Sequence, residues 1–156
     1  MEYGAQPLRR KSLRAGPLFR ALVAQFCENA QEKKCEIALE QSEQSEQAML
    51  CADRALLERL LENLLNNSIR HNPGRVSITV RTEAAGGCFC LTVADDGCGY
   101  PPAVLAAMNA PEPCENAPHI LGLHVVEQIA IAHGGKAEFA QNIPQGAKAV
   151  ISLPME

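Results

Sequence analysis

Residues 89–100 read Phe-Cys-Leu-Thr-Val-Ala-Asp-Asp-Gly-Cys-Gly-Tyr, so an alternating apolar segment runs into two acidic residues and two glycines. The alternation of Phe89, Leu91 and Val93 predicts a strand with one buried face. Asp95 shares this parity, so its carboxylate points the same way as the apolar side chains. A carboxylate that faces a core is costly unless a group donates to it, and an exocyclic amino group such as that of adenine is suitable. A hairpin turn with a partly exposed Asp95 is the alternative interpretation.

The glycines at 97 and 99 suit a loop that lies against a flat ligand. Gly97 and Gly99 permit positive φ angles and let a planar ring approach the main chain. Upstream, the alternation within residues 75–82 predicts a partner strand, and residues 84–87 (Ala-Ala-Gly-Gly) predict the turn between the two strands. The strand that begins at Phe89 is therefore predicted to be the second strand of a hairpin.

A leucine-rich helix is predicted over residues 53–71, which begin with an aspartate suited to capping. Asn63 and Asn67 are four residues apart and lie on one side of it, and Arg70 and His71 continue that flank. Amide oxygens are hard, neutral ligands that suit Mg²⁺, which keeps several waters and shares phosphate oxygens. Arg70 is suited to contact a phosphate. The same asparagines also suit a solvated helix face, and this helix alone leaves both interpretations open.

Gly122 opens another predicted helix, over residues 121–133, which follows a segment with three prolines. That segment, residues 109–121, is predicted to be a mobile loop or lid. Free N–H groups at the start of a helix can bind phosphate. Gly122 by itself is a weak signal for this, because glycine also serves close packing.

The rest of the sequence is predicted to complete an α+β fold. We predict a two-layer α/β sandwich in which helices lie on one face of a mixed, mostly antiparallel sheet. Residues 17–156 are predicted to form one domain, and the basic residues 1–16 a linker or the remnant of a connection to another domain. The other predicted elements are a helix over 17–31, a strand over 35–39, a solvated loop over 40–47, a short helix over 103–108, and strands near 137–139 and 150–153.

Composition excludes several classes of function. The 156 residues are 47% hydrophobic and carry a net charge of −4, which is typical of a globular domain and argues against a nucleic-acid groove. Aromatic residues are only 4%, so a base-stacking platform is not expected. Seven cysteines without a CxxC pair favour reduced thiols over a zinc site. No apolar run approaches the ~20 residues that cross a bilayer, so a plasma-membrane anchor of a parent protein would lie outside this chain.

The order of these motifs resembles the GHKL ATPase superfamily, whose Bergerat fold is shared by DNA gyrase, Hsp90, MutL and histidine kinases. Residues 63–73 (NLLNNSIRHNP) resemble the N-box of histidine kinases. Residues 95–101 (DDGCGYP) resemble the G1 box, and residues 121–135 (LGLHVVEQIAIAHGG) the G2 box and its helix. Residues 146–154 (GAKAVISLP) resemble the closing strand.

The resemblance implies ATP and Mg²⁺ as cofactors and assigns a role to each matching residue. At the base, Asp95 would accept from the adenine amino group, in a pocket shaped by Gly97 and Gly99. At the phosphates, Asn67 would be the Mg²⁺ ligand, with Asn63 in support. The other residues that it implies around the nucleotide are Arg70, His71, Gly122 and Leu123.

Position 63 separates branches of the superfamily. Gyrase-like members place a water-activating glutamate four residues before the metal-binding asparagine, whereas this chain has Asn63 there and Glu62 one residue away. A kinase that transfers phosphate to an imidazole needs no such base. We therefore expect the cytoplasmic catalytic domain of a two-component sensor histidine kinase, with Asn63, Asn67 and Arg70 as catalytic residues. Its expected partners are a separate dimerisation and phosphoacceptor domain and a response regulator, with no nucleic acid and no membrane contact.

Two alternatives share the fold. One is an anti-sigma-factor serine/threonine kinase. The other is a degenerate interaction module, which is suggested by residues 118–123 (PHILGL) where the family has a glycine-rich lid. No histidine of this chain has the context of a phosphoacceptor, so we expect a fragment that binds nucleotide without phosphorylating itself.

Overall fold

The structure is a computed structural model, and it describes residues 8–29, 35–70, 72, 74–108 and 118–156. Seven strands and five helices are found in this described part. In chain order they are β1 (Lys11–Arg14), α1 (Ala15–Asn29), β2 (Cys35–Gln41), α2 (Glu43–Gln47), β3 (Met49–Ala52), α3 (Arg54–Arg70), β4 (Val76–Ala85), β5 (Cys88–Asp95), α4 (Pro102–Met108), α5 (Pro118–Ala132), β6 (Lys136–Gln141) and β7 (Ala147–Pro154).

The main layer is a five-stranded sheet in the order β2-β4-β5-β7-β6. Only β2 and β4 are parallel, and the other neighbours are antiparallel. Val93 in β5 lies opposite Val80 of β4 and Ala149 of β7, so one row of apolar side chains crosses the inner face. The period-two alternation of these strands is what produces this face.

Three long helices cover the inner face and complete the second layer. Five of the six leucines of α3 are almost completely buried, and each contributes about 1.5–3 kcal/mol by leaving water: they are Leu57, Leu60, Leu61, Leu64 and Leu65. Phe19 of α1 stacks on Phe89 of β5 with ring centroids 5.5 Å apart. On the outer face, Arg81 of β4 forms an ion pair with Glu40 of β2. The predicted two-layer α/β sandwich, with a mixed and mostly antiparallel sheet, is confirmed.

A second, two-stranded sheet was missed by the sequence analysis. β1 pairs antiparallel with β3, with Leu13 opposite the buried Leu50. Residues 11–14 therefore belong to the folded domain rather than to the predicted linker 1–16, and α1 begins at Ala15, two residues before the predicted start. Strands of four residues are too short for alternation to reveal them.

The predicted loop over residues 40–47 is also wrong in part, because it contains the helix α2. Ser42 caps this helix by accepting from the Ser45 N–H (3.1 Å). The Ser45 hydroxyl is buried and lies 3.0 Å from the Thr82 carbonyl oxygen, to which it donates. A polar sequence thus forms a helix because its hydroxyls satisfy the main chain at both the cap and the sheet.

The start of α3 and the end of α5 meet on the side of the domain opposite Gly97 and Gly99. Asp53 caps α3, as predicted, by accepting from the Leu56 N–H (3.3 Å). Its own N–H donates to Nε2 of the buried His133, just beyond α5 (3.0 Å). Helix α5 begins at Pro118 rather than at 121, since proline suits the first turn of a helix. Most of the predicted lid, residues 109–117, lies outside the described residues.

Candidate functional site

Helix α3, the turn after β5, helix α5 and the β6–β7 connection converge at one end of the domain. A Cβ on Gly122 of α5 would lie 3.8 Å from Asn63 Oδ1 of α3, so these two predicted residues are neighbours. A Cβ on Gly97 would overlap the side chain of Asn72, which follows α3. The fold therefore brings together the three sequence motifs that are far apart in the chain.

Asp95, the last residue of β5, is only 3% exposed, as its strand parity predicts. Its Oδ1 accepts from the N–H of Gly97 (3.0 Å) and from the N–H of Ala147 (3.0 Å). Within the described part of the chain, Oδ2 accepts no hydrogen bond. Two N–H donors from different elements fix the orientation of the carboxylate and leave its second oxygen to accept from a ligand.

The segment from Asp95 to Tyr100, here called the base loop, is tied to α3 by Asn72. The Asn72 amide donates to the Ser68 carbonyl (2.6 Å), and its Oδ1 accepts from the Cys98 N–H (2.8 Å). This contact explains why residue 97 is glycine, because any side chain there would displace the Asn72 amide. Gly99 has φ +81°, a left-handed conformation that favours glycine.

Tyr100 closes the base loop and is 5% exposed. Its ring packs edge-on against Phe139 of β6 with centroids 6.2 Å apart. Burial raises the pKa of the Tyr100 hydroxyl well above its ordinary value, and the negative charge of Asp95 adds to the shift. Tyr100 therefore stays neutral and keeps this end of the site apolar next to a charged carboxylate.

Asn67 of α3 is the candidate metal ligand and is 6% exposed. Its Oδ1 is buried and, within the described residues, has no hydrogen-bond partner. An orphaned buried amide oxygen costs about 1–3 kcal/mol unless a ligand satisfies it. A hard neutral oxygen that lacks a partner fits Mg²⁺, which needs few protein ligands. No group of three or more His, Cys, Asp or Glu side chains in the described part could hold a metal.

The other predicted site residues differ in how far the structure exposes them. Arg70 is exposed in the last turn of α3, and Asn63 is half-buried one turn before Asn67. His71 lies outside the described residues. Leu123 is 1% exposed, so its side chain belongs to the core.

The prediction that Gly122 opens a helix is wrong, because α5 begins at Pro118 and Gly122 lies in its second turn. Its main-chain N–H is therefore not one of the free groups at a helix start. The absence of a side chain instead leaves space beside Asn63.

Sequence reasoning missed four residues of this site: Asn72, Gln141, Asn142 and Ala147. Asn72 is inside the NLLNNSIRHNP motif and was the only one with a signal. The other three lie at the end of β6, in the β6–β7 connection and at the start of β7, 40 or more residues away, and contact the base loop through amides or the main chain. Nothing in their local sequence pattern indicates a role.

Comparison with known proteins identifies the family of this chain. Residues 52–156 match the family of histidine kinase-, DNA gyrase B- and HSP90-like ATPases. The chain belongs to this family, and the resemblance to the GHKL superfamily is confirmed. Membership of an ATPase family implies ATP as the ligand.

Two proteins that this chain resembles are named as a histidine protein kinase and a sensor protein. The histidine protein kinase DivJ of Caulobacter vibrioides is 29% identical over 110 residues, which cover 67% of this chain and 18% of DivJ. The alginate biosynthesis sensor protein KinB of Pseudomonas aeruginosa is 25% identical over 155 residues, covering 97% of this chain and 26% of KinB. The chain thus spans about a fifth to a quarter of the length of these relatives.

Among solved structures, the catalytic domain of histidine kinase ThkA has the same fold. It superposes with a TM-score of 0.78 at 21% identity, and covers 94% of this chain and 96% of that domain. Within the described residues, no helix is both long and apolar enough to cross a membrane.

Proposed function

We propose that this chain is the Mg-ATP-binding catalytic domain of a sensor histidine kinase, which presents the γ-phosphate to a histidine on a separate domain. One observation carries the proposal, the buried Asn67 Oδ1 that has no partner among the described residues. It lies one helical turn from Asn63, on the helix that is bonded through Asn72 to the base loop. A ligand that satisfies both Asn67 and Asp95 has a metal-bound end and an amino-bearing end, as Mg-ATP does.

In this proposal each residue has a defined task. The second carboxylate oxygen of Asp95 accepts from the adenine amino group, while Gly97 and Gly99 leave space for the ring. Asn67, with Asn63 in support, holds Mg²⁺, which would neutralise charge on the phosphate oxygens. The exposed Arg70 adds a positive charge that is free to move to a phosphate. His71, Gly122 and Leu123 stay predictions for the phosphate end.

Phosphate transfer to a protein is favoured over ATP hydrolysis. Asn63 takes the place where gyrase-like members carry a glutamate base, and an amide cannot activate water. The neighbouring Glu62 is exposed; partial loss of solvent around its carboxyl and repulsion from Glu58 raise the pKa of this group. Its position one residue away turns it from the Asn63–Asn67 flank by about 100°. Among the described residues, this flank of α3 carries no carboxylate in place of that glutamate.

The partners belong to the parent protein and to the signalling pathway. We propose a dimerisation and phosphoacceptor domain joined upstream of β1, and a response regulator as the final acceptor. DivJ and KinB are named as a histidine protein kinase and a sensor protein, which supports this assignment over the anti-sigma-type kinase. A cytoplasmic position follows from ATP as the substrate.

Calorimetric titration with a non-hydrolysable ATP analogue, with and without Mg²⁺, tests the proposal. We expect saturable binding that Mg²⁺ strengthens and that Asn67→Ala makes independent of Mg²⁺. Absence of binding would favour the degenerate interaction module. With γ-labelled ATP, we expect no phosphohistidine on this chain alone, and label on the chain itself would contradict a separate acceptor.

A further inference from the structure

The base loop is held at both ends by two adjacent side-chain amides. Asn142 Nδ2 donates to the main-chain oxygen of Asp95 (2.9 Å). Gln141 Nε2 donates to the Tyr100 carbonyl (2.7 Å), and its Oε1 accepts from the Tyr100 N–H (2.9 Å). The first and last residues of the loop are therefore fixed from one point, the end of β6.

The Gln141 amide fits the loop closely. Both of its hydrogen bonds go to the main chain of one residue, which resembles one rung of a sheet ladder. A Cβ on Gly99 would overlap Gln141 Oε1, so the amide lies directly against the left-handed turn of the loop. This contact leaves little freedom for the Gly99–Tyr100 peptide.

The main chain of Asn142 is also linked to Asp95, through the β6–β7 connection. Its N–H donates to the Gly146 carbonyl (2.7 Å), which closes the β6–β7 connection. The next residue, Ala147, supplies one of the two N–H groups bonded to Asp95 Oδ1 (3.0 Å). The connection therefore contacts Asp95 at both its main-chain oxygen and its carboxylate.

We propose that Gln141 and Asn142 are positioning residues that orient the Asp95 carboxylate and thereby set the selectivity for adenine over purines without an amino group. The inference rests on the proposed function, in which Asp95 accepts from that amino group. Hydrogen-bond strength falls steeply as the angle departs from linear, so a carboxylate held in one orientation discriminates better than a mobile one. In this proposal both residues act through the main chain of the base loop, to which their side chains are bonded.

The test compares ATP with inosine triphosphate (ITP), which has a carbonyl in place of the amino group, by calorimetric titration of Gln141→Leu and Asn142→Ala. Gln41→Leu is the matched control. Gln41 is the last residue of β2 at the opposite edge of the sheet, and its amide also donates to one main-chain oxygen, that of Gly16 (3.2 Å). Gln141→Glu keeps an acceptor for the Tyr100 N–H but loses the donor, so it decides the question if Gln141→Leu does not fold.

We expect about tenfold weaker ATP binding in the Gln141 and Asn142 variants, the effect of one hydrogen bond, with ITP affected less than about twofold. The control should keep wild-type affinity for both nucleotides. Equal losses for ATP and ITP, or no loss in variants that melt like the wild type, would overturn the proposal. A wild-type chain that binds both nucleotides equally would contradict the role of Asp95, and the positioning role would fail with it.

Discussion

Asp95→Asn is the most informative single change in this molecule. The substituted amide keeps an oxygen for the N–H groups of Gly97 and Ala147, which both lie 3.0 Å from Asp95 Oδ1. Each of these bonds weakens by about 1 kcal/mol when its acceptor becomes neutral, and the lower cost of burying an amide offsets part of the loss. The variant should therefore fold.

Nucleotide binding should respond much more strongly than stability. The second position of the side chain changes from an acceptor to a donor and then faces the donor amino group of adenine. Loss of a hydrogen bond to a charged acceptor costs about 1.5–3 kcal/mol, which corresponds to roughly 10- to 150-fold in Kd. For ITP, whose carbonyl can accept from the new amide, affinity should stay equal or rise.

Calorimetric titration with both nucleotides measures these effects, and thermal melting followed by circular dichroism checks the fold. A folded Asp95→Asn chain that binds ATP with wild-type affinity would refute the reasoning. So would a variant that loses ATP and ITP in parallel, because that result indicates a deformed pocket rather than a lost base contact.

Three further predictions concern the metal, the base loop and pH. Asn67→Ala should remove the Mg²⁺ dependence of ATP binding without lowering stability, since it deletes a buried oxygen that has no described partner. The control is Asn66→Ala, and the measurement is calorimetric titration of both variants with and without Mg²⁺. Gly97→Ala should destabilise the fold by about 1–3 kcal/mol in urea unfolding because its Cβ overlaps a neighbouring amide, whereas Gly74→Ala, with nothing within 4 Å, should not. Tyr100 has a pKa raised above the ordinary 10.0, so its contribution to stability is complete below pH 10.0 and is lost as pH rises beyond it. Tyr100→Phe should flatten this alkaline loss in urea unfolding between neutral and alkaline pH, and an unchanged slope would contradict the assignment.

Local periodicity was sufficient for the strands of the five-stranded sheet, the presence of the long helices and the burial of Asp95. Alternation is a property of neighbouring residues, so it predicted β4 and β5 and turned Asp95 toward the core. The leucine spacing predicted α3 in the same way. The asparagines of α3 could not be decided from spacing, because a solvated face and a metal site share the same pattern until burial is known.

The missed features depend on contacts between distant residues. β1 pairs with β3 across more than 30 residues, and Gln141 and Asn142 reach the base loop across 41 and 47 residues. Side-chain amides that bond to main-chain atoms leave no periodic trace in a sequence. The start of α5 at Pro118 was missed because proline indicates both loops and the first turn of a helix.

Titration of the ¹⁵N-labelled chain with a non-hydrolysable ATP analogue, followed by amide NMR, tests the central claim most directly. The account predicts shifts at the amides of Gly97 and Ala147, which share the Asp95 carboxylate. It also predicts a shift of the Asn67 side-chain amide that requires Mg²⁺. Shifts on the outer sheet face around Arg81, or none at saturating analogue, would contradict it.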